Sequence, residues 1–352
     1  MENLSLPILS LFILLVPYLR RHFFSSPEQK PVERPGERQN YFDFIKGLAI
    51  LAVILIHVEY FFVYYFPEHS TFSFFINNVS RFAVPVFFIC SGILLQQNIP
   101  NWKTFYWRKI VRILIPYLFV SLMILSASGK APADFLYLII SGNTLVPYYF
   151  IIVLIQFYLI YPLLLAVKNN RSLLFISFAV SLISHYIPGL CYVYDIPLFF
   201  PFLFFFVYGT KHQNFFIRFD RQKIKLVWWL AGIFLYLLIF FIQPSGYFNH
   251  RLFFGPVILI ILFYFKNLFT KQTFIFNFIC RLGKISLWIF LIHFPIVQAF
   301  FYKLKTAPIN FYAKFILVFI ISTILSIAVS WFCSWIYKKL LGYFPKTKRL
   351  SD

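Results

Sequence analysis

The chain has 352 residues, of which 61% are apolar, 23% are aromatic and only 12% are charged. A soluble protein of this length could not bury so much apolar surface, so the composition excludes a soluble globular enzyme. The net charge of +21 is a feature of nucleic-acid-binding proteins, but here the charges lie in the connections between apolar segments. That distribution is typical of a membrane protein.

Ten apolar segments predict an all-α fold, a polytopic membrane helix bundle with ten core transmembrane helices. Alternate connections between these segments hold 26 of the 32 Lys and Arg residues. The positive-inside rule assigns those connections, and both ends of the ten-helix core, to the cytoplasm. The predicted spans are 44–66, 74–96, 112–128, 147–167, 172–188, 197–210, 226–242, 251–265, 285–302 and 315–337.

The N-terminal region is less regular than the rest of the chain. Residues 4–19 are apolar but short, and Pro7 and Pro17 interrupt them. They predict either an eleventh span or a helix lying in the membrane interface. Residues 25–40 are rich in Pro, Glu, Arg and Gln, which predicts a cytoplasmic linker. The predicted regions are therefore 1–40, the membrane domain 41–340 and a basic cytoplasmic tail 341–352.

The first core helix carries an imidazole deep into an apolar run that begins near Phe44. Lys46 and His57 are eleven residues apart, which puts them on one helix face, separated by roughly 16 Å along the axis. Asp43 lies near the same helix face. Ionisable groups in hydrocarbon usually mark function, although a packing histidine and a snorkelling lysine are the alternatives. Glu59 points to the opposite side, toward an outer loop or another helix.

The second core segment brings Arg81 in from the outer side. Its guanidinium could hold an anionic or sugar ligand, or could anchor the helix at the interface. Pro85 is expected to interrupt the backbone hydrogen bonds one turn into the helix. Ser91 and Gly92 are expected to allow a close helix approach.

The third segment clusters Arg108, Lys109 and Arg112 at the cytoplasmic end of a helix. Such a cationic patch would bind a ligand rich in phosphate, but it also satisfies the ordinary positive-inside pattern. Further along the chain, Gln156 and His293 lie inside predicted spans, and Arg251 lies near the outer end of another. Each of these three alone is more often a packing or anchoring residue.

The four cysteines show neither a disulfide pattern nor metal-ligand spacing, so we predict no metal site. They are scattered without a CxxC pair and are expected to be small buried apolar residues. They are Cys90, Cys191, Cys280 and Cys333.

Taken together and in this order, these segments resemble the integral-membrane acyltransferase family 3. The family's first core helix has an acid, a cation, a glycine and then a histidine eleven residues beyond the cation. Its next element is R-F-x-V-P-x-F-F-x-x-S-G, followed by R-x-x-x-R-[IL]-x-x-P-Y and S-L-x-[IV]-[FY]-L-I-H. The residues that meet these motifs are Asp43, Lys46, Gly47 and His57; Arg81, Phe82, Val84, Pro85, Phe87, Phe88, Ser91 and Gly92; Arg108, Arg112, Pro116 and Tyr117; and Ser286, Leu287 and His293.

The resemblance implies an O-acyltransferase of the bacterial inner membrane. Such an enzyme would move an acetyl group from cytoplasmic acetyl-CoA to a hydroxyl of a cell-surface glycan, such as O-antigen, capsule or exopolysaccharide. His57 would be the general base or a transient acyl acceptor, and Arg81 would position the acceptor or steady the oxyanion. The predicted roles are catalytic for His57, Lys46, Asp43 and Arg81, CoA-binding for Arg108, Lys109 and Arg112, and substrate-binding for Ser91, Gln156, His293 and Arg251.

Two departures from the family pattern bear on the mechanism. Many members have Arg where this chain has Lys46, and Lys keeps the charge but loses the bidentate fork. Some members also carry an extracytoplasmic hydrolase-like domain that completes the transfer. This chain is expected to transfer the acyl group itself or to hand it to a partner.

Two other function classes remain open from the sequence, a glycan or lipid transporter (flippase) and a structural assembly subunit. A flippase would also need many spans with buried polar residues. Besides acyl-CoA and glycan, the expected partner is the lipid bilayer, with no nucleic acid and no permanently bound cofactor. The oligomeric state stays open.

Overall fold

The computed structural model describes residues 35–96, 99–184, 186–217, 257–263 and 273–343. Three sequence-based predictions lie outside these residues entirely: the apolar segment 4–19, the span 226–242 and the site residue Arg251. Most of the predicted tail 341–352 and of the span 251–265 lies outside them too.

The first helix, α1, is longer than the sequence predicted. It runs unbroken over Pro35–Tyr65, about 46 Å at 1.5 Å per residue, whereas the sequence predicted a start near Phe44. The end of the predicted linker 25–40 is therefore helical. Proline is well suited to a first helical position, because its N–H would have no partner there and its φ is already helical.

The remaining elements are helices apart from one small hairpin. Helices α2 to α5 are Ser70–Ser80, Ala83–Ile93, Trp102–Lys109 and Ile115–Ala127, with a π-helix at Ile110–Leu114 between the last two. Helices α6 to α9 are Phe135–Ser141, Tyr149–Val167, Leu173–Ile183 and Pro188–Cys191. The antiparallel strands β1 and β2 are Tyr192–Val193 and Ile196–Pro197. Helices α10 to α14 are Leu203–Lys211, Gln213–Ile217, Phe274–Lys284, Ser286–Leu304 and Phe311–Tyr343, and residues 257–263 are also helical.

Within the described residues, six helical stretches are long and apolar enough to cross a membrane. This confirms an all-α polytopic membrane bundle, but it does not confirm ten spans. The six stretches are Asn40–Tyr65, Pro67–Ile93, Trp102–Ala127, Val146–Val167, Ser286–Leu304 and Phe311–Leu340.

Two predicted spans, 172–188 and 197–210, are much shorter as helices. Helix α8 has 11 residues and α10 has 9, so each is only about 13 to 17 Å long at the α-helical rise. The two pack against each other, and the Ser181 hydroxyl joins them. It donates to the Phe200 carbonyl at 3.0 Å and accepts from the Phe204 N–H at 2.9 Å. In the described residues neither predicted span is confirmed as a complete crossing.

The second predicted span breaks earlier than expected. The helical chain is interrupted at Arg81 and Phe82, between α2 and α3, whereas the sequence placed the interruption at Pro85. Pro85 is the third residue of α3, where its missing N–H removes no helical hydrogen bond. The Val86 N–H still donates to the Phe82 carbonyl at 3.0 Å.

Helices α3 and α10 cross at two glycines, as the Ser91-Gly92 pair predicted for α3. A Cβ atom added at Gly92 would overlap the Phe206 carbonyl oxygen, and one added at Gly209 would overlap the Ile89 carbonyl oxygen. The two backbones therefore touch directly, which is the packing that small residues allow between membrane helices.

A second glycine crossing joins α1 to α12. A Cβ atom at Gly47 would overlap the Ile279 carbonyl oxygen, and one at Gly283 would overlap the Asp43 carbonyl oxygen. The two glycines thus let α12 lie on the backbone of α1 beside Asp43. Because Gly47 directly follows Lys46, this crossing fixes the segment that carries both charged residues.

Helix α13 contains a proline whose missing hydrogen bond is replaced from another helix. Pro295 has no N–H to donate to the Leu291 carbonyl one turn earlier. The Tyr148 hydroxyl donates to that carbonyl at 2.6 Å, and both residues are fully buried. An unsatisfied carbonyl at this depth would cost about 1–3 kcal/mol, so Tyr148 stabilises the proline-containing turn.

Candidate active site

The two imidazoles inside the bundle contact each other. His57 on α1 and His293 on α13 are 236 residues apart in the chain, and His293 Nε2 lies 3.2 Å from His57 Nδ1. The ring centroids are 4.9 Å apart in an edge arrangement. The sequence had placed His57 in the catalytic group and His293 in the substrate-binding group. The structure brings them together as a pair.

Each ring also bonds a carbonyl of its own helix. His57 Nδ1 lies 2.7 Å from the Val53 carbonyl oxygen. His293 Nδ1 lies 3.1 Å from the Ile289 oxygen and 2.8 Å from the Phe290 oxygen. Both rings are therefore held through Nδ1 to the preceding turn, which fixes their orientation.

The pair lies at the edge of a buried region. His293 has no exposed surface, whereas His57 is half-buried. Phe294 packs edge-on against the His57 ring with centroids 5.4 Å apart. Within the described part of the chain, His57 Nε2 makes no hydrogen bond, and no third His, Cys, Asp or Glu side chain joins the pair to form a metal-binding group.

Asp43 and Lys46 form an ion pair three turns of α1 away from His57. Lys46 Nζ lies 2.6 Å from Asp43 Oδ1, and both side chains are half-buried. Because α1 is unbroken, Lys46 and His57 share a helix face as the spacing predicted. The carboxylate holds the ammonium group on that face, so Lys46 is a fixed charge and not a freely snorkelling one.

Arg81 belongs to a polar chain that the sequence did not predict. Its Nε donates to the Asn77 side-chain oxygen, and the Asn77 amide donates to Glu59 Oε2 at 2.6 Å. Glu59 is only 3% exposed. From the sequence, Glu59 was expected to face either an outer loop or another helix. In the structure its side chain faces α2. A buried carboxylate in an apolar helix was the signal that could have linked Glu59 to Arg81.

The three predicted cations of the third segment lie close together. Arg108 and Lys109 are half-buried and Arg112 is exposed. Lys109 Nζ packs over the Tyr158 ring, 4.2 Å from its centroid, and over the Phe105 ring at 5.2 Å. Among the described residues, none of the three cations has a carboxylate partner, and the buried Arg108 Nε has no hydrogen-bond acceptor.

The π-helix Ile110–Leu114 contains Arg112 and lies between Lys109 and Pro116. In that turn the Ile115 N–H donates to the Ile110 carbonyl, five residues earlier. The same register would require Pro116 to donate to Val111, and proline has no N–H. The Tyr337 hydroxyl of α14 donates to the Val111 carbonyl instead, at 2.5 Å. π-turns are frequent at functional sites.

The cations and the Asp43–Lys46 pair lie at the same end of the bundle, which we call the basic end. Tyr337, bonded to Val111, also packs on Trp288 near the start of α13, with ring centroids 5.4 Å apart. Helix α12, which ends just before α13, crosses α1 beside Asp43. His57 and His293 lie farther along α1 and α13, toward the opposite end.

Two predicted substrate-binding residues, Ser91 and Gln156, make their contacts away from His57. Ser91 interacts with the Tyr158 hydroxyl, beneath Lys109. The Gln156 amide donates to the Pro197 carbonyl at 2.7 Å, which ties α7 to the small hairpin, while its buried Oε1 has no partner in the described region. Arg251 is outside the described residues. The structure therefore places Ser91 beside Tyr158 and Gln156 beside Pro197, and neither of the two contacts His57.

The described part of the bundle buries a pair of imidazoles and holds, at one end, three cations without a carboxylate partner, an arrangement that suits a membrane-embedded enzyme. The model of acyltransferase family 3, described as an acyltransferase domain, matches residues 39–335. The chain belongs to this family and is a membrane acyltransferase. Searches of curated proteins and of solved structures found no match.

Proposed function

We propose that the protein transfers an acetyl group from cytoplasmic acetyl-CoA to a hydroxyl of a cell-surface glycan in the bacterial inner membrane. The observation that carries this proposal is the half-buried His57, held through Nδ1 and without a hydrogen bond to Nε2 within the described residues. Such a nitrogen suits proton transfer to and from a bound substrate.

The cations support an acyl-CoA donor at the basic end. CoA carries several phosphate oxygens, and Arg108, Lys109 and Arg112 offer charge without a protein carboxylate to neutralise it in the described region. Lys109 is packed on Tyr158, which leaves the two arginines as the bidentate phosphate ligands. The thioester arm would extend from there past Lys46 toward His57.

In the proposed reaction, His57 carries the proton from the glycan hydroxyl to the CoA thiolate. His57 Nε2 accepts the proton of the glycan hydroxyl as its oxygen attacks the thioester carbonyl carbon. The carbon–sulfur bond then breaks, and the CoA thiolate leaves with the proton that His57 returns. Arg81, supported by Asn77 and Glu59, would orient the acceptor or steady the oxyanion.

Mass spectrometry of surface glycans from cells with and without the gene tests this function. The proposal expects glycan that gains one acetyl group at the modified hydroxyl only when the gene is present. A flippase would change the amount of exported glycan and leave its ester content per repeat unchanged. That second result would contradict the proposal.

We expect Arg112→Gln to weaken acetyl-CoA binding more than turnover. Loss of one charge-assisted hydrogen bond to phosphate should raise the KM for acetyl-CoA about tenfold and leave kcat within about twofold. The measurement is initial rate against acetyl-CoA concentration with membranes or purified protein.

The control for Arg112 is Lys130→Gln, since Lys130 is exposed and lies just beyond the opposite end of the same membrane helix. That variant should keep the wild-type KM. An unchanged KM in Arg112→Gln, or an equal rise in both variants, would argue against a donor site at the basic end.

A further inference from the structure

The hydrogen bonds around the two imidazoles assign their protons. His293 Nδ1 faces only carbonyl oxygens, those of Ile289 and Phe290. A carbonyl oxygen can only accept a hydrogen bond, so this nitrogen carries the proton in the neutral ring. His293 Nε2, the nitrogen that faces His57, therefore has a lone pair and acts as an acceptor.

The neighbours of His57 Nδ1 assign its proton in the same way. Its Nδ1 faces the Val53 oxygen at 2.7 Å and the lone pair of His293 Nε2 at 3.2 Å. Both neighbours are acceptors, so His57 Nδ1 must donate to them. The neutral His57 ring then leaves its own Nε2 unprotonated, on the side that has no hydrogen-bond partner among the described residues.

We propose that His293 is a positioning residue that makes His57 Nε2 the reacting atom. This inference rests on the proposed function for the role of His57 as a base, and it adds the partner that selects which nitrogen reacts. His293 acts through His57 and transfers no proton itself.

The pair also prepares His57 for the charge that forms during the reaction. When His57 Nε2 takes the hydroxyl proton, the ring becomes a cation, and its Nδ1–H still meets two acceptors. A neutral His293 can accept this hydrogen bond without introducing a second buried charge beside the bilayer. A carboxylate does the same task in many hydrolases, but its desolvation in this buried position would be far more costly.

The contacts of His293 also fix the direction of its lone pair. Leu291, two residues earlier, is bound by the Tyr148 hydroxyl, and Ile289 and Phe290 hold Nδ1. With Nδ1 held, the ring must present Nε2 to α1. From the sequence, His293 was a motif residue in a late span with a predicted substrate-binding role, and no residue spacing placed it against His57.

The first test reads the protons directly and needs no substrate. The full-length protein, labelled with ¹⁵N-histidine and placed in lipid nanodiscs, would give nitrogen chemical shifts that separate the two neutral tautomers. Single His57→Ala and His293→Ala variants assign the signals. We expect protonated Nδ1 and unprotonated Nε2 on both rings, and a proton on His57 Nε2 would overturn the proposal.

The second test compares two replacements of His293. His293→Leu keeps most of the volume but removes the acceptor, and we expect kcat to fall at least about tenfold while the KM for acetyl-CoA stays within about twofold of wild type. His293→Gln places an amide oxygen near the position of Nε2 and should restore much of that loss. Wild-type kcat in His293→Leu, or no recovery in His293→Gln, would overturn the proposal.

Three outcomes can be distinguished: a variant that does not fold, a wrong proposed function, and a wrong assignment of the protons on the two histidines. If His293→Leu does not accumulate, His293→Gln and the wild-type nitrogen shifts decide. If the wild-type protein transfers no acetyl group, the proposed function falls. In that preparation Nδ1–H on both rings still supports the pairing, and Nε2–H on His57 overturns it.

Discussion

Replacing His57 with alanine is expected to lower acyl transfer by at least about a hundredfold, the usual range for loss of a general acid–base group. The variant removes both His57 Nδ1, which faces the His293 lone pair, and His57 Nε2, which is proposed to take the hydroxyl proton. Initial rates with labelled acetyl-CoA, normalised to the amount of protein in the membrane, would measure the effect.

A second histidine provides the control. His69 lies beyond the end of α1 and stacks on Phe311 with ring centroids 3.8 Å apart, so it has a packing contact and no contact with His57. His69→Ala should keep activity near the wild-type level. If His57→Ala retained transfer at a similar level, His57 could not be the base, whatever the behaviour of His69.

Gly283→Ala is expected to lower the melting temperature by several degrees and to reduce activity. The added methyl group would overlap the Asp43 carbonyl oxygen, and a backbone atom cannot rotate away as a side chain can. Overpacking of this kind typically costs about 1–3 kcal/mol. Helix α12 would have to move off α1 and would displace the Asp43–Lys46 pair. Thermal unfolding of the purified protein and its initial rate are the two measurements.

Gly189→Ala is the matched control for the glycine crossing. A Cβ atom at Gly189 would meet nothing within 4 Å, so the same chemical change there should leave both melting temperature and activity close to wild type. Equal destabilisation by the two substitutions, or none by Gly283→Ala, would show that the crossing of α1 and α12 tolerates a side chain.

The fold class could be predicted from sequence because lipid imposes a strong rule. A helix that crosses the hydrocarbon must be apolar over a known length, and α1, α7, α13 and α14 follow that rule. The number of spans was less predictable. Helices α8 and α10 pack on each other, as the bonds of Ser181 show, while Phe175 and Ile176 of α8 are exposed. A local apolar run cannot distinguish burial in protein from burial in lipid.

In the candidate site, features within one helix could be predicted from the sequence, and contacts between helices could not. The spacing of Lys46 and His57 on one helix fixed their shared face, and adjacency in the chain fixed the grouping of Arg108 and Arg112. The meeting of His57 with His293 could not be predicted, because it depends on how α1 packs against α13. The hydrogen bonds from Arg81 through Asn77 to Glu59 also join different helices. The sequence therefore predicted Arg81 as a site residue but did not predict its partners Asn77 and Glu59.

The hydroxyl of Tyr148 has a consequence beyond the carbonyl that it satisfies. It binds the Leu291 carbonyl, which Pro295 leaves without a helical donor, and His293 lies within that turn of α13. The backbone turn that carries the buried ring is therefore stabilised by a hydroxyl from the head of α7. Three helices and not two define the imidazole pair, so a shift of α7 against α13 would be transmitted to the ring nitrogen that faces α1.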